Sequence, residues 1–188
     1  MDIVAKARNY AVSEIEQYGA PTLIAFEISE KKALELAKKL KADVTIVHLG
    51  IMLMDVKLGQ AMKENKLREH VAMSSLAAKE FLKESKLDEA TKKKIINCIE
   101  AHHKAVPFSC LESEICANAD CYRFMTPKGF LSFLASLGKR DGTFEAKLKL
   151  AEEKLDEKYD ILSLDICKKE LEGHYQNLKR LIADAKVE

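Results

Sequence analysis

The chain has 188 residues, of which 47% are hydrophobic and 32% charged, and its net charge is +1. That length suits one domain with a substantial core, and the near-neutral balance excludes a global field that would draw the protein to nucleic acid or to an anionic membrane. Three prolines, seven glycines and no tryptophan favour long helices over a sheet with many turns.

Taken in order, Ile3, Val4, Ala7, Tyr10, Ala11, Ile15 and Tyr18 repeat at helical spacing. Gly19-Ala20-Pro21 ends that helix. PTLIAFEIS is short and apolar and reads either as a connection or as the entry to the next helix. Ala33, Leu36, Ala37 and Leu40 mark that amphipathic helix, with Lys and Glu outward. Asp43 is an N-cap candidate for a buried helix from Val44 to Met54, and Gly59 is expected to end the stretch in the left-handed conformation. A polar loop leads to a helix from Leu67 to Leu82 whose small-residue face allows close packing. Asp88 caps the next helix, which ends at His102 and His103. Pro107 and Ser109 mark a turn before a helix from about Cys110 to Met125. Thr126-Pro127 starts another helix, which Gly138 ends, and two Lys/Glu-rich helices cover residues 143–158 and 161–184. No run is apolar and long enough to be expected to span a membrane. No leader of signal-peptide type is expected at the N-terminus. The five cysteines lie within helical patterns, as reduced core thiols of a cytoplasmic protein do.

Five polar residues fall at helix ends or inside apolar runs: Asp55, His70, His102, His103 and Asp120. Helical bundles build metal sites in this way, with ligands converging from facing helices. Imidazoles mixed with carboxylates suit iron, manganese, zinc or nickel. Each residue also has a plainer reading. A histidine at a helix end gains from the helix dipole, Asp120 can pair with Arg123 at i,i+3, and Asp55 can cap a loop. His48 lies two turns from Asp55, too far to share an ion, and reads as a hydrogen-bonded core histidine.

The order of these residues resembles the HD superfamily of metal-dependent phosphohydrolases. ALELAKKLKADVTIVHLGIMLMD resembles two core helices of that family, ending where it carries its His-Asp doublet. REHVAMSSLAAKEFL resembles the helix whose first His binds a second metal. IINCIEAHH resembles the helix ending in another His ligand, and SCLESEICANAD resembles the last core helix with its embedded Asp. Two departures stand out. The doublet is Met54-Asp55 here, and the family's first His falls on about Ala25.

The resemblance implies an all-α chain: one helical domain with an HD-like core over about 20–126 and a C-terminal helical extension over about 127–188. It implies Asp55, His70, His102 and Asp120 as ligands of one divalent ion and Asp55 as a catalytic residue. Lys57, Lys104 and Arg123, the cations nearest these ligands in sequence, are the further catalytic candidates, and His103 is an exposed neighbour or substrate contact. The implied activity is hydrolysis of a small phosphorylated metabolite or nucleotide. A catalytically inactive ligand-binding or scaffold protein on the same fold is the alternative that the missing imidazoles motivate. The C-terminal helices are expected either to close the pocket or to support self-association.

Overall fold

The computed structural model describes residues 2–187, and among them every regular element is helical. The α-helices are α1 (Ile3–Tyr18), α2 (Leu23–Leu40), α3 (Val44–Leu53), α4 (Leu58–Lys63), α5 (His70–Lys83), α6 (Glu89–Glu100), α7 (Leu111–Met125), α8 (Pro127–Gly138), α9 (Phe144–Ile161) and α10 (Asp165–Ala185). A 3-10 turn, Leu67–Glu69, leads directly into α5.

Local chemistry sets most of the boundaries. Gly19 ends α1 at φ 75°, and its N–H donates to the Ile15 carbonyl. The PTLIAFEIS segment belongs to α2: the Thr22 hydroxyl accepts from Ala25 N–H and starts the helix at Leu23. Asp43, Asp88, Thr126 and Thr143 cap α3, α6, α8 and α9 in the same manner, and Pro127 occupies the first turn of α8, where its missing N–H costs nothing.

Two expectations need correction. Gly59 does not end a helix in the left-handed region; it lies inside α4, and a methyl group there would sit 2.6 Å from Tyr18 Cβ and 2.7 Å from the Ala20 carbonyl. Close approach of α4 to the α1–α2 connection requires glycine, and residues read as a polar loop form the short helix. The stretch Val44–Lys63 is also apolar and long enough by composition to pass for a membrane span. It is mostly buried within the fold and broken by a turn at 54–57, and α3 itself, at 10 residues, is about 15 Å long.

At the centre stands α7, buried on nearly all sides and packed against α2, α3, α6, α8, α9 and α10. A helix wrapped this completely must satisfy its polar side chains internally. Asn118 shows how: its amide donates to the Glu114 carbonyl and to Ser163 Oγ, while its Oδ1 accepts from Ser163 and Leu164 N–H. One side chain thus fastens the α9–α10 connection to the central helix. Small residues let the neighbours approach. At Gly50 of α3, an added Cβ would lie 2.5 Å from Cys98 Cβ of α6.

Candidate metal centre

The turn after α3 carries Asp55 into the interior, where it is 6% exposed. The next residues tie that turn in place, because Lys57 N–H donates to Ser74 Oγ of α5 at 3.1 Å. His70 is the first residue of α5, so the same bond fixes His70 relative to Asp55. Ser75 of α5 donates to Glu100 at 2.6 Å, which joins α5 to the end of α6. The helix stops at Glu100, so His102 and His103 lie in the turn just beyond it.

Three imidazoles meet here. Ring centroids are 4.1 Å apart for His102–His103, 5.3 Å for His70–His103 and 6.0 Å for His70–His102. One donor atom from each lies within 4.8 Å of the others. Hydrogen bonding settles which nitrogen is free. His70 Nδ1 is 2.7 Å from the Leu67 carbonyl, and His102 Nδ1 is 2.7 Å from the Ile99 carbonyl. A carbonyl only accepts, so each Nδ1 carries the proton and each neutral ring keeps its lone pair on Nε2. His103 Nδ1 faces the Glu157 carboxylate at 2.8 Å, with the Lys158 ammonium farther from the same nitrogen at 3.4 Å, and the shorter contact favours the same tautomer.

Asp55 Oδ1 lies 3.6 Å from His70 Nε2 and 3.7 Å from His102 Nε2. Two donors each about 2.1 Å from a common ion stand at most about 4.2 Å apart, so both separations fit a shared divalent metal. Neither Asp55 Oδ1 nor His102 Nε2 has a hydrogen-bond partner within the protein, although both are buried. Such groups are costly to leave unmatched, and a cation between them would satisfy both. The donor set, imidazole nitrogen with carboxylate oxygen, suits zinc, iron, manganese or nickel.

On its other side Asp55 meets Arg123, whose Nη2 donates to Oδ2 at 2.5 Å. Arg123 Nε is 2.8 Å from Asp120 Oδ1, and Lys158 Nζ is 2.8 Å from Asp120 Oδ2. Two buried carboxylates therefore share two buried cations. Burial alone would raise the Asp55 carboxyl, but Arg123 and the histidines outweigh it and hold the group well below the ordinary range. Burial likewise opposes Asp120, and Arg123 with Lys158 pulls it down to about 2. His102 is lowered to about 3 by burial, against the raising effect of Asp55, so it is a neutral donor at pH 7.

The structure thus brings together Asp55, His70, His102 and Arg123 from the set anticipated in the sequence. Asp120 stands one step back, engaged by two cations. The Lys57 ammonium is held by Glu14 at 2.8 Å and the Lys104 ammonium by the Asp160 carbonyl at 2.7 Å. His103, read as an exposed neighbour or substrate contact, stands beside His70 and His102 in the imidazole cluster. Glu157 and Lys158, both on α9, were missed. Lys158 did leave a signal: Leu148, Ala151, Leu155, Lys158 and Leu162 recur at spacings of three and four, so a lysine interrupts a core stripe. His48 is a half-buried core histidine bonded to Glu30 at 3.0 Å.

No family model matches the sequence, and no curated protein matches it. Among solved structures, a predicted HD superfamily hydrolase from an uncultured Thermotogales bacterium superimposes with a TM-score of 0.62 at 14% identity, covering 96% of this chain and 91% of that one. The likeness spans α9 and α10 as well as the residues that carried the sequence resemblance, and the chain shares the fold of that structure.

Proposed function

We propose that this chain is a metal-dependent phosphohydrolase of HD type, acting on a small phosphorylated metabolite or nucleotide with one divalent ion. The observation that carries the reading is the pair of orphaned buried atoms, Asp55 Oδ1 and His102 Nε2, facing one another across a distance that an ion can bridge. His70, His102 and Asp55 would hold the metal, with His103 beside them. An ion in such a site supplies a hydroxide at neutral pH by acidifying a bound water.

The chain's own residues supply orientation and charge. Leu67 and Ile99 carbonyls present the His70 and His102 lone pairs inward. Glu157 does the same for His103, so α9 of the C-terminal layer takes part in the site. Arg123 keeps Asp55 ionised and fixes which of its oxygens remains free. The five free thiols suit a reducing, cytoplasmic setting.

A second reading, a binding protein without turnover, is favoured by one observation. Both carboxylates of the site are already compensated by Arg123 and Lys158. One experiment separates the two. Untagged protein purified without chelator is analysed for metal, reconstituted with Co2+ for its visible absorption, and assayed for phosphate release from a panel of phosphomonoesters, beside His70→Ala/His102→Ala. About one equivalent of metal, lost in the variant together with the absorption and phosphate release, supports the hydrolase. Metal with no turnover on any ester supports the binding protein. No metal in either protein after reconstitution removes the proposed centre.

A further inference from the structure

A second cavity, of about 270 Å³, lies between the α1–α2 connection, α4 and α8. Tyr18, Phe124 and Phe133 give it aromatic walls, with Phe124 and Phe133 edge to face at 5.1 Å. Arg123 lines its inner end, and Lys139 and Arg140 stand at the end of α8. No carboxylate and none of the three clustered histidines line it.

Some lysines are matched with acids, as in Lys32–Glu170, Lys79–Glu100 and Lys179–Asp156, and others stand free of them. Neither Lys139 nor Arg140 has such a partner among the described residues, and the Arg140 guanidinium lies 4.0 Å from the Met62 sulfur. Cations at a helix C-terminus gain from the dipole, which explains their presence on α8. It does not explain an adjoining aromatic cavity with no carboxylate in its lining. Pockets for small ligands combine apolar walls with a few converging polar groups in this way.

We propose that this cavity binds a small aromatic anion, an aromatic or heteroaromatic ring bearing a phosphate or carboxylate. The ring lies against Phe124 and Phe133, and the anionic group is held by Lys139 and Arg140. Arg123 is the link to the metal centre, because the residue lines the cavity and its guanidinium holds Asp55. The site is nonetheless separate from the histidines, and its occupancy does not require metal.

The test therefore uses chelator-treated, metal-free protein titrated with phenyl phosphate, benzoate and benzyl alcohol by calorimetry and saturation-transfer NMR. Two variants accompany it: Lys139→Ala/Arg140→Ala, at exposed positions, and Ala25→Leu, which fills the cavity from α2. Circular dichroism verifies that both are folded. The expected result is saturable binding of at least one anion, weakened about tenfold or more in the double variant, as loss of a charge-assisted contact worth about 1.4 kcal/mol implies, and weakened also by Ala25→Leu. Whether phenyl phosphate or benzoate binds more tightly identifies the anionic group. Equal binding of benzyl alcohol, absence of saturable anion binding, or binding unaltered in both variants would overturn the proposal. None of these outcomes depends on the presence of metal, so failure here and failure of the hydrolase reading are told apart.

Discussion

Replacing Lys158 by Met removes the ammonium from Asp120 while keeping a side chain of similar length in the core. The ion pair is 2.8 Å long and both partners are about 1% exposed. At an effective dielectric of about 20, attraction across that distance is about 6 kcal/mol. The cost of taking the lysine out of water offsets much of it. The single variant nevertheless leaves Asp120 buried with Arg123 alone, and Arg123 is already shared with Asp55. Breaking one side of a buried pair costs about 3–5 kcal/mol, which lowers Tm by on the order of 10 °C for a chain of this size. Lys158→Met/Asp120→Asn removes the uncompensated charge, so it should recover at least half of the loss. Urea unfolding followed by circular dichroism measures all corners of the cycle. A single variant as stable as the parent, or a double variant whose losses simply add, would refute the idea that Lys158 is there to compensate Asp120.

Acid sensitivity follows from the same pair. Asp120 is depressed to about 2 from 3.8, so its contribution, about 2 kcal/mol, is present above pH 4 and lost as pH falls toward 2. Urea midpoints measured from pH 5 downward should decline, and Asp120→Asn should flatten that decline. Glycine substitutions should split by location. Gly129→Ala places a Cβ 2.4 Å from the Arg123 carbonyl and should lose about 1–3 kcal/mol. Gly173→Ala, in the exposed middle of α10 with open space around it, should gain about 0.5–1 kcal/mol. Thermal melts of the two variants compare them directly.

Most of the fold was legible because helix starts are chemically local. Asp43, Asp88, Thr126 and Thr143 cap their helices through bonds spanning two or three residues, and a reader of the sequence sees both ends of each bond. Gly59 misled because a glycine needed for close approach and one needed for positive φ look alike until the neighbour, Tyr18, is in place. The site divided along the same line. Asp55, His70 and His102 are visible as polar residues at helix ends, in the order that the resemblance implies. Adjacent histidines on a continuing helix diverge by about 100°, whereas His102 and His103 both lie in the turn after α6, and their closeness is visible only in the fold. Glu157 was camouflaged among the many Lys and Glu of α9, and only its contact with His103 distinguishes it.

Because Glu157 and Lys158 are neighbours on α9, the order in which the chain is synthesised matters to the centre they complete. Asp55, the three histidines, Asp120 and Arg123 are all translated before residue 124, yet the ammonium that pairs with Asp120 arrives 38 residues after it. At typical synthesis rates of about 5–20 residues per second, the nascent chain spends seconds with both carboxylates made and only Arg123 to share between them. Docking of α9 then supplies Asp120 with its second cation. Until it occurs, α7 must keep its polar face open to water, and the core that surrounds α7 has reason to close last on that side.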